Sequence, residues 1–377
     1  LVGNDQIGGD RRFIYNETVI GGGKYYFGTT PSQYTSVRLG EFPNPNVGWE
    51  KAKKFNLGAD LSFFNQLNIS VDYFKENREG IFLQRKSIPM YVGLSTKPWV
   101  NIGKMRNSGI DASLEYHQPL GKDLHLTVRG NFTYARNRIM DQDEPDYAYT
   151  YMNHSGQMQW QKFGLVAAGL FQDQEDIDSW AKQSFGEVKP GDIKYLDLNG
   201  DGIVDNYDTK PIGYSDIPEI VYGFGFSLQW KAFDLSAFFQ GVAHVSFSTL
   251  TDQTQAFVGR NLKESSVFAD LYGNTWTPEN PGAKYPRMTT GSIDNNNQLS
   301  TFWMANGRYL RLKNLELGYT LPKRIANKIA MQSLRVYLSG VNLFTFSPFK
   351  LWDPDLQTGA TNYPNNRIIN LGLTIGF

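Results

Sequence analysis

Apolar side chains fall on every second residue along most of this chain. Phe55, Leu57, Ala59, Leu61 and Phe63 alternate with Asn56, Gly58, Asp60 and Ser62. Leu67, Ile69, Val71 and Tyr73 alternate with Asn68, Ser70 and Asp72. The pattern returns at Ile110 to Tyr116, Leu124 to Tyr134, Tyr222 to Trp230, Phe233 to Phe239 and Ile369 to Phe377. A period of two puts every apolar group on one face of an extended strand, whereas a helix would scatter them around its circumference. The chain must therefore build sheet with one apolar and one polar face. Tyr309 to Leu321 and Leu334 to Phe346 also read as strands, but each changes phase midway, near Lys313 and Gly340. A β-bulge has that effect, as does a strand that runs on beyond a membrane and no longer has a lipid face.

The connections alternate in length. Short ones lie near Asn65, at Pro119 to Lys122 and at Lys231 to Ala232, and Pro322 to Gln332 reads as a short basic helix. Long polar ones run from Gln84 to Val100, Asp141 to Ile217, Ser248 to Thr301 and Ser347 to Asn365, and Leu1 to Gly48 reads as another. Tight turns at one end and long loops at the other are the pattern of an outer-membrane barrel. About nine strands are expected, all antiparallel, as part of a larger transmembrane β-barrel. The longest apolar run, Phe163 to Phe171, is too short for a spanning helix. Aromatic residues make up 14% of the chain, as expected where aromatic girdles mark two membrane interfaces. The rival is a soluble β-sandwich, whose strands also alternate. Its solvated face carries Lys, Glu and Thr, whereas here the non-apolar face is rich in Gly, Ser, Asn and Asp.

Lys plus Arg and Asp plus Glu are each 37, so the basic footprint of a nucleic-acid binder is missing. The absence of cysteine excludes disulfides and thiolate metal sites. The chain opens at Leu1 in a polar, Gly-rich stretch and shows no signal peptide, so an upstream continuation is expected. A tight turn at Pro119 to Lys122 predicts partners whose numbers sum to about 240. That register sets Asp111 opposite Arg129, Glu115 opposite His125 and Leu114 opposite Leu126.

Several segments, in order, resemble the SusC/RagA family of TonB-dependent transporters. They are Asn44 to Glu50 (NPNVGWE), Asn101 to Asp111 (NIGKMRNSGID) and the acidic Gly191 to Asp208 (GDIKYLDLNGDGIVDNYD). Trp276 to Pro286 (WTPENPGAKYP), Tyr309 to Pro322 (YLRLKNLELGYTLP), Val341 to Pro348 (VNLFTFSP), Asp353 to Asp355 (DPD) and the terminal Phe377 follow. The resemblance implies an outer-membrane barrel of about 22 strands around an N-terminal plug. Residues 1–377 would supply its C-terminal part, with the plug and the TonB-contacting segment outside them. It also implies a SusD-like surface lipoprotein as lid, energy from the TonB complex, and import of glycans or peptides. The last strand resembles the signal read by the barrel-assembly machinery. The alternative of another class is a secreted, calcium-binding β-rich adhesin or carbohydrate-binding module.

One motif within the insertion 141–217 points to a metal. Asp197, Asn199, Asp201, the Ile203 carbonyl, Asp205 and Asp208 occupy positions 1, 3, 5, 7, 9 and 12 of a calcium loop, with Gly202 at the sharp turn. The usual terminal Glu is replaced by Asp. A structural Ca²⁺ is expected here as a local staple, because few apolar residues lie nearby; the alternative is a solvated acidic turn. The four histidines, His117, His125, His154 and His244, have no zinc spacing, and no carboxylate pair stands out, so no enzyme is expected. Tyr147, Tyr149, Tyr151, Trp160, Trp180, Trp276 and Trp303 are candidates for stacking on sugars, against the commoner role of loop core or girdle.

Overall fold

The computed structural model describes residues 2–4, 13–29, 32–94, 96–251, 254, 268–329, 331–359 and 362–376. Its main element is a sheet of nine long strands and a three-residue stub. In chain order these are β1 (Val2–Asn4), β2 (Glu50–Phe63), β3 (Leu67–Gln84), β4 (Trp99–Pro119) and β5 (Leu124–Asp141). Then come β6 (Ile220–Trp230), β7 (Phe233–Ala243), β8 (Tyr309–Thr320), β9 (Ser333–Phe346) and β10 (Ile368–Gly376). Each strand neighbours the next, an up-and-down meander that ends on β1 and β10.

The register turns the alternation into transverse rows. Leu126, Leu228, Leu235, Leu317, Leu338 and Leu371 are successive partners across β5 to β10. Leu317, Leu338 and Leu371 are exposed on that face. The neighbouring row runs Leu124, Trp230, Phe233, Tyr319, Val336 and Leu373. Phe233 lies 6.2 Å from Trp230 and 4.7 Å from Tyr319, an aromatic band beside the tight turn at Lys231 and Ala232. The opposite face carries His125, Gln229 and Asp234, then Thr127, Ser227, Ser236, Glu316, Ser339 and Asn370.

Small residues on the polar face make room for large ones. A Cβ on Gly223 or Gly225 would fall 2.8 Å or 3.0 Å from the Phe238 ring, and one on Gly372 would collide with Tyr337. Gly223-Phe-Gly225 is therefore a packing feature of a strand. The phase change expected near Lys313 is a bulge that skips this residue, and the one near Gly340 falls at Asn342, whose φ is 54°.

The turn between β4 and β5 lies further along than Pro119 to Lys122. β4 continues through Pro119, and Leu120 N–H donates to the Leu124 carbonyl at 2.8 Å. Gly121, with φ at 99°, Lys122 and Asp123 form the tip. Partners thus shift by four residues. Arg129 reaches Glu115 at 2.9 Å, Thr133 donates to Asp111 at 2.7 Å, and His117 meets Thr127 at 3.1 Å. The expected pairs Asp111 with Arg129, Glu115 with His125 and Leu114 with Leu126 are not formed. The error is even, so the division into faces survives it.

Two compact units divide the chain: Leu1–Asn56, Phe74–Ser108 and Arg136–Gln159 form one, and Leu57–Tyr73, Gly109–Ala135 and Trp160–Phe377 the other. In the first, the stretch expected as a long loop contains a hairpin, Val19–Phe27 with Ser32–Leu39. Its apolar residues run consecutively and Gly21, Gly22 and Gly23 interrupt them, which hides the strand period. Also there, Asp143 accepts from the Lys86 and Ser87 amides and from Arg85. Despite burial, which acts the other way, these donors hold its carboxyl below the usual range.

Candidate functional site

The second unit carries a core of its own outside the sheet. Leu165, Ile193, Tyr195, Val204, Leu271, Trp276, Tyr285 and Trp303 pack together and are all buried. They come from the two longest connections, which close over one another although far apart in sequence. The expectation that few apolar residues support the acidic loop is thus corrected: Val204, inside that loop, is fully buried. The support comes from a distance in sequence: the apolar run Phe163 to Phe171 of the same connection contributes Leu165 and Leu170, and the other connection contributes Leu271, Trp276, Tyr285 and Trp303.

A buried polar cluster locks the two connections together. Asp192, fully buried, faces Arg287 Nε at 2.8 Å and accepts from Asn296 Nδ2 at 2.9 Å. Its other oxygen accepts from Arg287 at 3.0 Å and from the Lys189 amide at 2.8 Å. Asn296 in turn accepts from the Ile193 amide at 2.8 Å, and its carbonyl takes the Trp303 indole N–H at 2.7 Å. The Tyr195 hydroxyl donates to the Asn295 carbonyl at 2.9 Å, and burial pushes its pKa well above the ordinary value. A buried carboxylate is tolerable only when so many donors replace its water.

The candidate calcium residues lie on the flank of this core. Asp197 accepts from the Gly200 and Gly202 amides at 2.7 and 2.8 Å, Asn199 from Asp201 at 2.9 Å, and Asp201 from Ile203 at 2.8 Å. Asp205 accepts from the Tyr207 amide at 2.7 Å. Asp208 is fully buried and takes the Leu198 and Asp205 amides at 2.7 and 2.8 Å. Gly200 and Gly202 have φ of 78° and 86°, the left-handed turn expected at Gly202. Among the described residues no three His, Cys, Asp or Glu side chains gather as a metal-holding group. As arranged, these side chains fold the loop by bonding its own backbone rather than by converging on one point.

The aromatic candidates separate by burial. Trp276 and Trp303 belong to the core. Trp180 donates to the Tyr195 carbonyl at 2.7 Å and lies under the Lys194 ammonium. Tyr149 and Tyr151 stack on each other at 5.4 Å, and Trp160 is exposed.

A second latch ties β8 to the loop before β10. Arg311, almost wholly buried, bonds Asp353, Asp355 at 3.2 Å and Thr345 at 3.0 Å, while Tyr309 donates to Asp355 at 2.9 Å. The segments YLRLK and DPD thus meet in space. Beside this latch, the connections leave a groove of about 630 Å³, walled by Phe268, Phe302, Trp303 and Phe349, with Asp270, Lys284 and Lys350 at its rim.

The family model for TonB-dependent receptor-like β-barrels matches residues 15–343. The chain belongs to this family. It is 30% identical to TonB-dependent receptor P3 of Formosa agariphila over 92% of its length, which spans 36% of that protein. It is 25% identical to TonB-dependent receptor SusC of Bacteroides thetaiotaomicron over its whole length, 37% of that protein. Among solved structures, the RagAB peptide transporter matches the whole chain with a TM-score of 0.70 at 22% identity, covering 40% of the matched chain. The chain thus spans less than half of each of these relatives. They are receptors and transporters rather than enzymes, and the family resides in the outer membrane. The secreted-module alternative loses its ground.

Proposed function

We propose that this chain forms the later barrel wall and the outer loops of an importer of glycans or peptides, capped by a SusD-like lipoprotein and powered through the TonB complex. One observation carries this reading. The two longest connections fold into a packed body with its own core, able to present a fixed surface to substrate and lid. An unstructured loop could not hold such a surface without a large loss of entropy on binding. The names of the relatives supply the rest: one is SusC and another a peptide transporter.

The test is uptake. Cells lacking the gene should lose growth on one defined class of oligosaccharide or peptide, and blocking TonB should produce the same loss. Affinity purification from outer membranes should yield a surface lipoprotein in equal amount. Unchanged growth on every oligosaccharide and peptide supplied would overturn the importer reading. A bound Ca²⁺ at Asp197, Asn199, Asp201, the Ile203 carbonyl, Asp205 and Asp208 is a further proposal, supported by the spacing and by the two left-handed glycines. Binding would require Asp197, Asp201 and Asp205 to turn their remaining lone pairs toward one point. Insertion by the barrel-assembly machinery through the last strand is proposed on the apolar stripe Ile369, Leu371, Leu373 and Ile375. Phe377 lies outside the described residues.

A further inference from the structure

We infer that the groove beside the Arg311 latch binds the C-terminal residue of a short peptide, an apolar side chain next to a free carboxylate. This rests on the importer reading and deepens it. The walls are rings. Phe349 is held edge-on by Phe247 at 5.0 Å and by Trp352 at 4.6 Å, and Phe302 stands edge-on to Trp303 at 5.1 Å. Their positions are set by neighbouring rings, so the cavity exists before a ligand arrives. Its volume of about 630 Å³ suits a ligand of a few residues.

The polar groups around it decide what enters. Asp270 is already taken, by Lys284 at 2.5 Å and by the Tyr285 hydroxyl at 2.5 Å. The Trp303 indole N–H is given to the Asn296 carbonyl, and the Thr249 hydroxyl to the Trp303 carbonyl at 2.9 Å. A sugar ring could lay its C–H face on one of these rings, but most of its hydroxyls would meet polar groups already bonded elsewhere. An apolar side chain needs no such partners. Asp270 and Lys284 cancel, so among the described residues the remaining charge lining the groove is Lys350. Lys350 is exposed and has no ion-pair partner among the described residues. It suits a carboxylate one bond from an apolar side chain. The amide of Asn306, also on the rim, can donate to the peptide bond that precedes it.

The transporter, purified from outer membranes in detergent, tests this by calorimetry. The probes are an N-acetylated tripeptide ending in leucine as free acid, the same tripeptide as C-terminal amide, and maltoheptaose. The free acid should bind about tenfold tighter than the amide, the size of one charge-assisted contact. Salt should narrow that gap. Lys350→Gln, an exposed change that leaves the fold intact, should abolish it without altering amide binding. Ala305→Trp, which fills the groove, should remove both. Equal binding of acid and amide, or a gap that survives Lys350→Gln, overturns the inference. So does binding of maltoheptaose without the tripeptide, although the importer reading would then stand. That reading falls separately, on the uptake experiment.

Discussion

Replacing Asp192 by Ala should unlock the two long connections while leaving the sheet intact. The carboxylate is fully buried and accepts from Asn296, Lys189 and Arg287, whose Nε also lies 2.8 Å away. Removing one partner of a buried pair costs roughly 3–5 kcal/mol, because the other charge is left without compensation. Arg287 is about a fifth exposed and can recover some hydration, which favours the lower part of that range. The loss passes through Asn296, which holds the Ile193 amide. Hydrogen exchange reads it directly. With the connections opening separately from the barrel, protection at Ile193 should fall by a factor of about a hundred or more. Amides of the pairs Phe226–Ala237 and Leu235–Leu317 should keep theirs. Asp192→Asn keeps an acceptor and should cost about half as much. The reasoning fails if Asp192→Ala changes Ile193 protection less than fivefold, or if loop and sheet lose protection together.

Gly191→Ala should loosen the same region by roughly 2–5 kcal/mol, combining left-handed strain with overpacking. The backbone φ is 89° and the new Cβ would fall 2.4 Å from the Trp276 ring; unchanged tryptophan fluorescence and proteolysis would count against this. Hydrogen bonds from Lys284 and Tyr285 hold the Asp270 carboxyl below its ordinary range against the opposing effect of burial. Its stabilisation is therefore complete above the ordinary Asp pKa and is lost as pH falls through the depressed value. Exchange at the Tyr285 amide should rise there in the wild type and stay flat in Asp270→Asn. For calcium, calorimetry should show one site of roughly 10⁻⁴ to 10⁻³ M that Asp201→Ala abolishes; absence of heat in the intact protein would assign the loop to its Asx hydrogen bonds alone. Deleting Phe377 should lower the outer-membrane level while Thr374→Ser, on the polar face opposite Arg335, should not; equal levels would remove the assembly role.

The sheet was legible because its signal is local and repeated. Each strand shows its apolar face within a few residues, and the six-leucine row needs only the right parity to line up. The two-residue turn at Lys231 and Ala232 leaves little freedom, so its register follows at once. The turn after β4 misled because Pro119 reads as a breaker. In fact it ends a strand, and Gly121 makes the reversal. An even shift preserves faces but exchanges every cross-strand partner, so Glu115 meets Arg129 rather than His125. Parity is encoded in each strand alone, whereas register is encoded only in the turn.

The loop body was not legible for a related reason. Ile193 and Asn296 touch across about a hundred positions of sequence, as do Tyr195 and Asn295, and the Ala167 amide donates to the Thr301 hydroxyl across more. No period links such residues. Outside the run Phe163 to Phe171, each connection seen alone offers isolated apolar residues among polar neighbours, which look like solvated coil. The acidic motif shows the consequence. Read alone, its carboxylates repel and call for a cation. In the folded chain, Val204 is anchored in a core and Asp208 closes the turn through backbone amides, so the loop has another source of order. Whatever ion binds there must compete with those hydrogen bonds. Any affinity is therefore set by how cheaply Asp197, Asp201 and Asp205 can share their remaining lone pairs, not by the count of their charges.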